Sequence, residues 1–197
     1  MIHRGIEWFE KSALNIWRNE PAKSILTIVP QGYDDDRVSY QLRGFIADNF
    51  IMHRGDESYT SLVLPIIPDR NASAEQLVSR IVKLSEEHLG RESSAHSEEY
   101  LSEKMEAAFT DLLSNEIYPI LLIKRFHSFT AINDKHLLPI LGQLRELERE
   151  QKVTSIVISP MSYDLIRRKL AESPSQTLPF LNSPYGDNHE KIIAQPL

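Results

Sequence analysis

The residues able to do chemistry fall in two short stretches. The first runs Pro30, Gln31, Gly32, Tyr33, Asp34, Asp35, Asp36, Arg37, Val38 and Ser39, so that one permissive glycine is followed by three carboxylates, a guanidinium and a hydroxyl. The second is Lys124 and Arg125, with His127 just beyond, closing an apolar run that begins at Tyr118. Three carboxylates could hold a divalent cation. Such a site needs oxygens spread around the ion, however, and adjacent aspartates point in different directions. At the start of a helix the same acids oppose the positive end of its dipole, and capping is the reading adopted here. A lysine and arginine at a strand end can bind an anion without a metal, the guanidinium acting as a planar fork. The competing reading is that this strand end faces solvent or pairs with Asp34, Asp35 or Asp36.

Other constellations are weaker. Arg91 and His96 have the R-x4-H spacing of an all-helical ribonuclease class, but they stand in a polar, serine-rich connector of an α/β chain. His53, His96, His127 and His136 include no i, i+4 pair of the kind that ligates zinc. Ser159, Asp164 and His189 are the residue types of a hydrolytic triad, yet no G-x-S-x-G turn presents a serine nucleophile. Trp8, Phe9 and Trp17 form an aromatic set on the first helix, read mainly as packing anchors and secondarily as a partner-docking surface.

The elements that must position these residues alternate along the chain. Ile6 to Arg18 has mostly helical apolar spacing and ends at Pro21. Ser24 to Val29 reads as a strand buried on both faces, followed by the Gly32 turn and a helix over Arg37 to Phe50. A second buried strand is predicted over Ser61 to Ile67, with Pro65 inside it, and then a helix over Ala74 to Leu89 stopped by Gly90. After the connector, a helix over Tyr100 to Leu113 precedes a strong apolar strand over Tyr118 to Phe126. Asp134 to Glu150 carries Leu137, Leu138, Leu141, Leu144 and Leu147 on one side and charges on the other, with Pro139 marking its first turn. Val153 to Ser159 is a further strand, followed by a helix from about Ser162 to Ala171, a proline-rich loop and a short strand over Ile192 to Ala194. Strands separated by helices imply right-handed crossovers and a mostly parallel sheet covered on both faces, a three-layer α/β sandwich.

This layout resembles the core of AAA+ and STAND-type P-loop ATPases from about Ala22 onward. Ile25 to Gly32 is similar to the strand entering a phosphate-binding loop, Pro119 to His127 to the Walker B strand, and Val157 to Pro160 to the sensor strand. The resemblance implies an N-terminal helix over 1–21 packed on a single domain over 22–197, with a helical insertion at about 91–116. It also shows where the chain departs from the pattern. A phosphate-binding loop needs G-x-x-x-x-G-K-[ST], because backbone N–H groups wrap the phosphates, lysine neutralises them and the hydroxyl reaches magnesium. Here Gly32 alone remains of that motif, and three carboxylates stand where the triphosphate would sit. At an effective dielectric of about 20, one like-charge contact near 4 Å costs on the order of 4 kcal/mol before screening, and Arg37 offsets only part of that. The Walker B strand should end in a magnesium-binding aspartate and a water-orienting glutamate. This one ends in Lys124 and Arg125.

The function expected is therefore that of a pseudo-ATPase acting through protein contacts, beside an active AAA+ or other P-loop partner. Arg37, Lys124 and Arg125 would be interface or anion-contact groups, Trp8 and Trp17 packing anchors, and no resident cofactor is expected; ATP with magnesium is disfavoured. A divergent nucleotide-binding ATPase using Gly32, Arg37 and Lys124, with Ser39 near the following helix, is the second reading. A nucleic-acid-binding accessory protein of a mobile-element or defence system is the third. Composition bears on these choices. A formal net charge of -6 disfavours a protein whose main task is coating nucleic acid. The absence of cysteine excludes thiolate catalysis and cysteine-based zinc sites. No apolar stretch approaches the roughly 20 residues that span a bilayer, and the charged first ten residues are no signal peptide, so a cytoplasmic address is expected.

Overall fold

A computed structural model describes residues 6–28, 35–50, 52–54, 57–67, 73–91, 100–125, 136–159 and 190–193. Its elements in chain order are α1 (Glu7–Asn19), β1 (Ile25–Ile28), α2 (Asp35–Asn49), β2 (Met52–Arg54), β3 (Glu57–Ile66), α3 (Ala74–Leu89), α4 (Leu101–Ser114), β4 (Ile117–Ile123), α5 (Leu137–Arg149), β5 (Thr154–Ser159) and β6 (Glu190–Ile193). The strands form one sheet in the order β2-β3-β4-β5-β1-β6. β2 runs antiparallel to β3, and every other pairing is parallel. The expected α/β sandwich with a mostly parallel sheet is the fold observed.

Strand alternation divides the apolar side chains between two cores. Tyr118, Ile120 and Leu122 of β4, with Ile156 and Ile158 of β5, face α1 and α2. Leu121, Ile123 and Val157 face α3, α4 and α5. The helices segregate this way because the chain crosses the sheet in one direction from β1 to β3 and in the other from β3 through β4 to β5. Right-handed connections then place their helices on opposite faces. Each fully buried leucine of α5, such as Leu141 and Leu144, contributes about 2 kcal/mol by leaving water.

Local chemistry sets the element ends. Ser73 caps α3 by accepting the Gln76 N–H at 3.1 Å, while the Gln76 side chain accepts the Ser73 N–H at 3.1 Å. This reciprocal box satisfies two donors that the first helical turn leaves open. Gly90, at φ 67°, ends the helix in the left-handed region that glycine occupies without cost. α5 stops the same way without glycine: Gln151 has φ 55°, and the Lys152 N–H donates to the Leu147 carbonyl at 2.9 Å.

Two departures from the sequence reading have clear causes. β2 was not expected, since Met52, His53 and Arg54 are too few to show a period. β3 begins at Glu57 rather than Ser61, because its polar first residues pair with β2. Pro65 is tolerated for a geometric reason. The Lys124 N–H donates to the Ile66 carbonyl at 2.9 Å, so Ile66 directs its backbone groups toward β4 and Pro65 faces the other edge. There β2 pairs only with Glu57 to Tyr59, and no N–H is required of Pro65. The predicted helix over 162–171 lies outside the described residues.

Candidate functional site

In open α/β sheets, ligands bind beyond the carboxyl ends of the strands where the order reverses. The reversal here falls at β1, which lies between β5 and β6. Ile28 is in register with Ser159, and Ile66 with Ile123, so β1, β5, β4 and β3 present their ends along one rim. The sequence places Gly32, Lys124 and Arg125 on the segments leaving that rim.

Lys124 is the best-defined of these. It is 6 % exposed, and its N–H extends the ladder to β3 by one bond. Alternation along β4 puts it on the α2 side of the sheet with Leu122 and Ile120. Arg125 is exposed and has φ 49°, a left-handed backbone that costs a non-glycine residue about 1 kcal/mol or more. The strand therefore ends at Ile123, short of the expected Phe126. β5 separates Lys124 from β1, a lateral distance of about 10 Å at the usual strand spacing.

The remaining site residues are only partly within view. Gly32 and Asp34 lie outside the described residues. Asp35 and Asp36 occupy the first turn of α2, and Arg37 follows them; the side chains of these three are not described. Ser39, on the second turn, is buried at 6 % exposure, and its hydroxyl has no partner among the described residues. His127, His96, Asp164 and His189 also lie outside the described residues, while Arg91 forms an ion pair with Asp111. Trp17 stacks on Phe45 at 6.4 Å and 16°, meets Phe50 edge-on at 4.8 Å, and donates its Nε1–H to the Lys23 carbonyl at 3.0 Å. Trp8 meets Phe9 edge-on at 6.0 Å. Both indoles are half-buried, and this cluster holds α1 against α2.

Glu148 was not anticipated. It is 8 % exposed, and burial pushes its carboxyl up to about 8 against opposing effects of the Ser155 and Ser24 hydroxyls and then of Arg145. The expectation that charges lie opposite the leucine stripe of α5 fails here. The signal was present: Glu148 stands four residues after Leu144 and seven after Leu141, on the buried stripe itself.

A parallel sheet in which β5 and β4 follow β1 in spatial order, with helices on both faces, defines a P-loop NTPase-type domain of the STAND and AAA+ kind. The sequence profile of Novel STAND NTPase 2 matches residues 61–197, and the chain belongs to that family. Among solved structures, it is similar to the ORC2 protein of Aeropyrum pernix in its ADPNP-ADP complexes, with a TM-score of 0.67 and 10% identity over 97% of this chain and 48% of that one. It is also similar to a Walker-type ATPase of Pyrococcus abyssi, with a TM-score of 0.58 and 11% identity over 98% of this chain and 53% of the other. The Drosophila ORC bound to poly(dA/dT) DNA and Cdc6 gives a TM-score of 0.60 at 10% identity, over 99% of this chain and 29% of that one. The chain spans about half the length of the two archaeal proteins. No curated protein matches the sequence.

ATP with magnesium is the ligand that this class implies, and the residues present do not fit the metal. A buried lysine stands at the end of β4 where an acid must hold the ion. Two carboxylates occupy the first turn of the helix whose amino end would receive phosphate.

Proposed function

We propose that this ATPase-type domain does not hydrolyse ATP and works through protein contacts, as an accessory or scaffold subunit beside an active P-loop ATPase. The observation that carries the reading is Lys124. This residue is buried at the rim where hydrolysis requires a magnesium-binding carboxylate, and a cation there repels the ion. The exposed, conformationally constrained Arg125 next to it offers a guanidinium fork for a carboxylate on a partner. Side-by-side association suits a domain of this fold; the Drosophila ORC to which it is similar is bound to Cdc6.

The test is calorimetric titration of the purified protein with ATP, with and without magnesium. The expected outcome is no magnesium-dependent binding and no ADP formed on prolonged incubation. Saturable binding that tightens with magnesium, accompanied by ADP release, overturns the proposal and returns attention to Gly32, Arg37 and Lys124 as nucleotide contacts.

A further inference from the structure

The outer face of α2 carries residues that packing within the chain does not explain. Leu42, Phe45 and Ile46 turn toward the sheet, and the opposite side of the helix carries Tyr40, Arg43, Gly44, Ala47 and Asp48. Tyr40 is 81 % exposed. A glycine inside a helix costs about 1 kcal/mol relative to alanine, yet a Cβ added at Gly44 would meet nothing within 4 Å. Asp48 stands near the carboxyl end of α2, where the helix dipole disfavours an acid, and the last turn holds no basic residue. Arg43 and Asp48 are exposed, and neither makes an ion pair among the described residues.

Their spacing is that of a helix-pairing seam. Tyr40, Gly44 and Ala47 recur at intervals of four and three, as do the two contact positions of a seven-residue repeat. Arg43 and Asp48 flank this seam on opposite sides. In two parallel helices related by a two-fold axis along the seam, a residue on one flank faces the residue five further on in the other helix. Arg43 of each copy then meets Asp48 of the other, so that one symmetry operator makes both pairs. An antiparallel pairing sets each flank against its own kind, Arg43 against Arg43, and is disfavoured. The missing side chain at Gly44 leaves room for the Tyr40 ring of the second copy.

We propose that two copies of this chain associate through the outer face of α2, paired in parallel, with Arg43 of each copy bonded to Asp48 of the other. From Tyr40 to Asp48 the seam spans roughly 12 Å at a rise of about 1.5 Å per residue. It falls short of a standard interface of about 1,600 Å², which makes the dimer a weak, concentration-dependent one. The formal charge of -6 on each copy opposes the encounter. At physiological salt a Debye length of about 8 Å screens that repulsion more than it screens charges in contact.

The experiment is sedimentation equilibrium of the full chain at physiological salt, up to about 1 mM, where a dissociation constant in the millimolar class still registers. A weight-average mass that climbs from 22.7 kDa toward twice that value is the expected result. Arg43→Glu and Asp48→Lys each set two like-charge pairs across the seam, and each weakens association by about tenfold or more. Both positions are exposed, and a lysine near the end of α2 suits the helix dipole, so the variants fold. An equimolar mixture of the two variants restores both opposite-charge pairs and with them association of wild-type strength, which no effect within one chain can do. A mass fixed at 22.7 kDa over the whole range overturns the proposal. Association that ignores both substitutions, or variants that stay apart on mixing, overturns it as well.

Discussion

Glu148 concentrates the unusual energetics of this molecule in one side chain. Its carboxyl titrates at about 8 in the fold against 4.5 for the free group, chiefly because burial disfavours the charged form. Since the folded value is raised, the associated stability is fully present below pH 4.5, is lost as pH rises to about 8, and stays level above that. At about 1.4 kcal/mol per unit, the loss is on the order of 5 kcal/mol at most, a large share of the stability of an ordinary domain. Glu148→Gln keeps the shape and cannot ionise. Urea denaturation is expected to show the variant close to wild type near pH 4.5 and more stable by several kcal/mol at pH 8.5. Parallel curves for the two proteins across that range sink this account of the residue.

Among the elements, the turns that close the helices give a sharper test than the helices themselves. Glu116 follows α4, is exposed, and has φ 59°, while its carbonyl accepts the Thr60 N–H at 2.9 Å and so aligns β3 with β4. A non-glycine residue there is strained, and glycine is the residue that helix ends of this kind favour. Glu116→Gly is expected to raise stability by about 0.5 to 1 kcal/mol, less the entropy that glycine adds to the unfolded chain. A lowered denaturation midpoint contradicts the geometry. The same scale shows what the sequence could reveal. α3 was legible from Ala74 to Leu89 because its apolar period, its Ser73 cap and Gly90 agree. The buried runs of β1, β4 and β5 were legible from their β-branched and apolar composition. β2 was not, because three residues carry no period and pair only by contact with β3. The left-handed turns at Glu116, Arg125 and Gln151 were equally hidden, since none of these residue types favours that backbone region. At the rim, the basic pair could be read from sequence, but the burial of Lys124 could not, because it depends on the elements that the fold packs around the end of β4.

On the scale of the whole molecule, charge bears on the kind of partner more than fold does. The chain shares its fold with the Drosophila ORC bound to poly(dA/dT) DNA and Cdc6, at 10% identity, which carries the architecture and nothing of the surface. Its own 22 basic and 28 acidic residues leave a formal charge of -6. Binding a duplex through phosphates requires several lysines or arginines on one face, each releasing counterions, so that six contacts give a log–log salt slope of about -5. A protein with net negative charge meets long-range repulsion before any such face can engage, and lowering the salt strengthens that repulsion as it strengthens local attraction. Fluorescence anisotropy with a labelled duplex is therefore expected to show no saturable binding at physiological salt, and no steep recovery as salt is lowered. A linear slope near -5 with sub-micromolar affinity at low salt would reveal a concentrated basic face and make nucleic acid the partner. A flat response leaves the exposed Arg125 to a partner whose acidic groups are few and fixed in place, which is a protein surface rather than a polyanion.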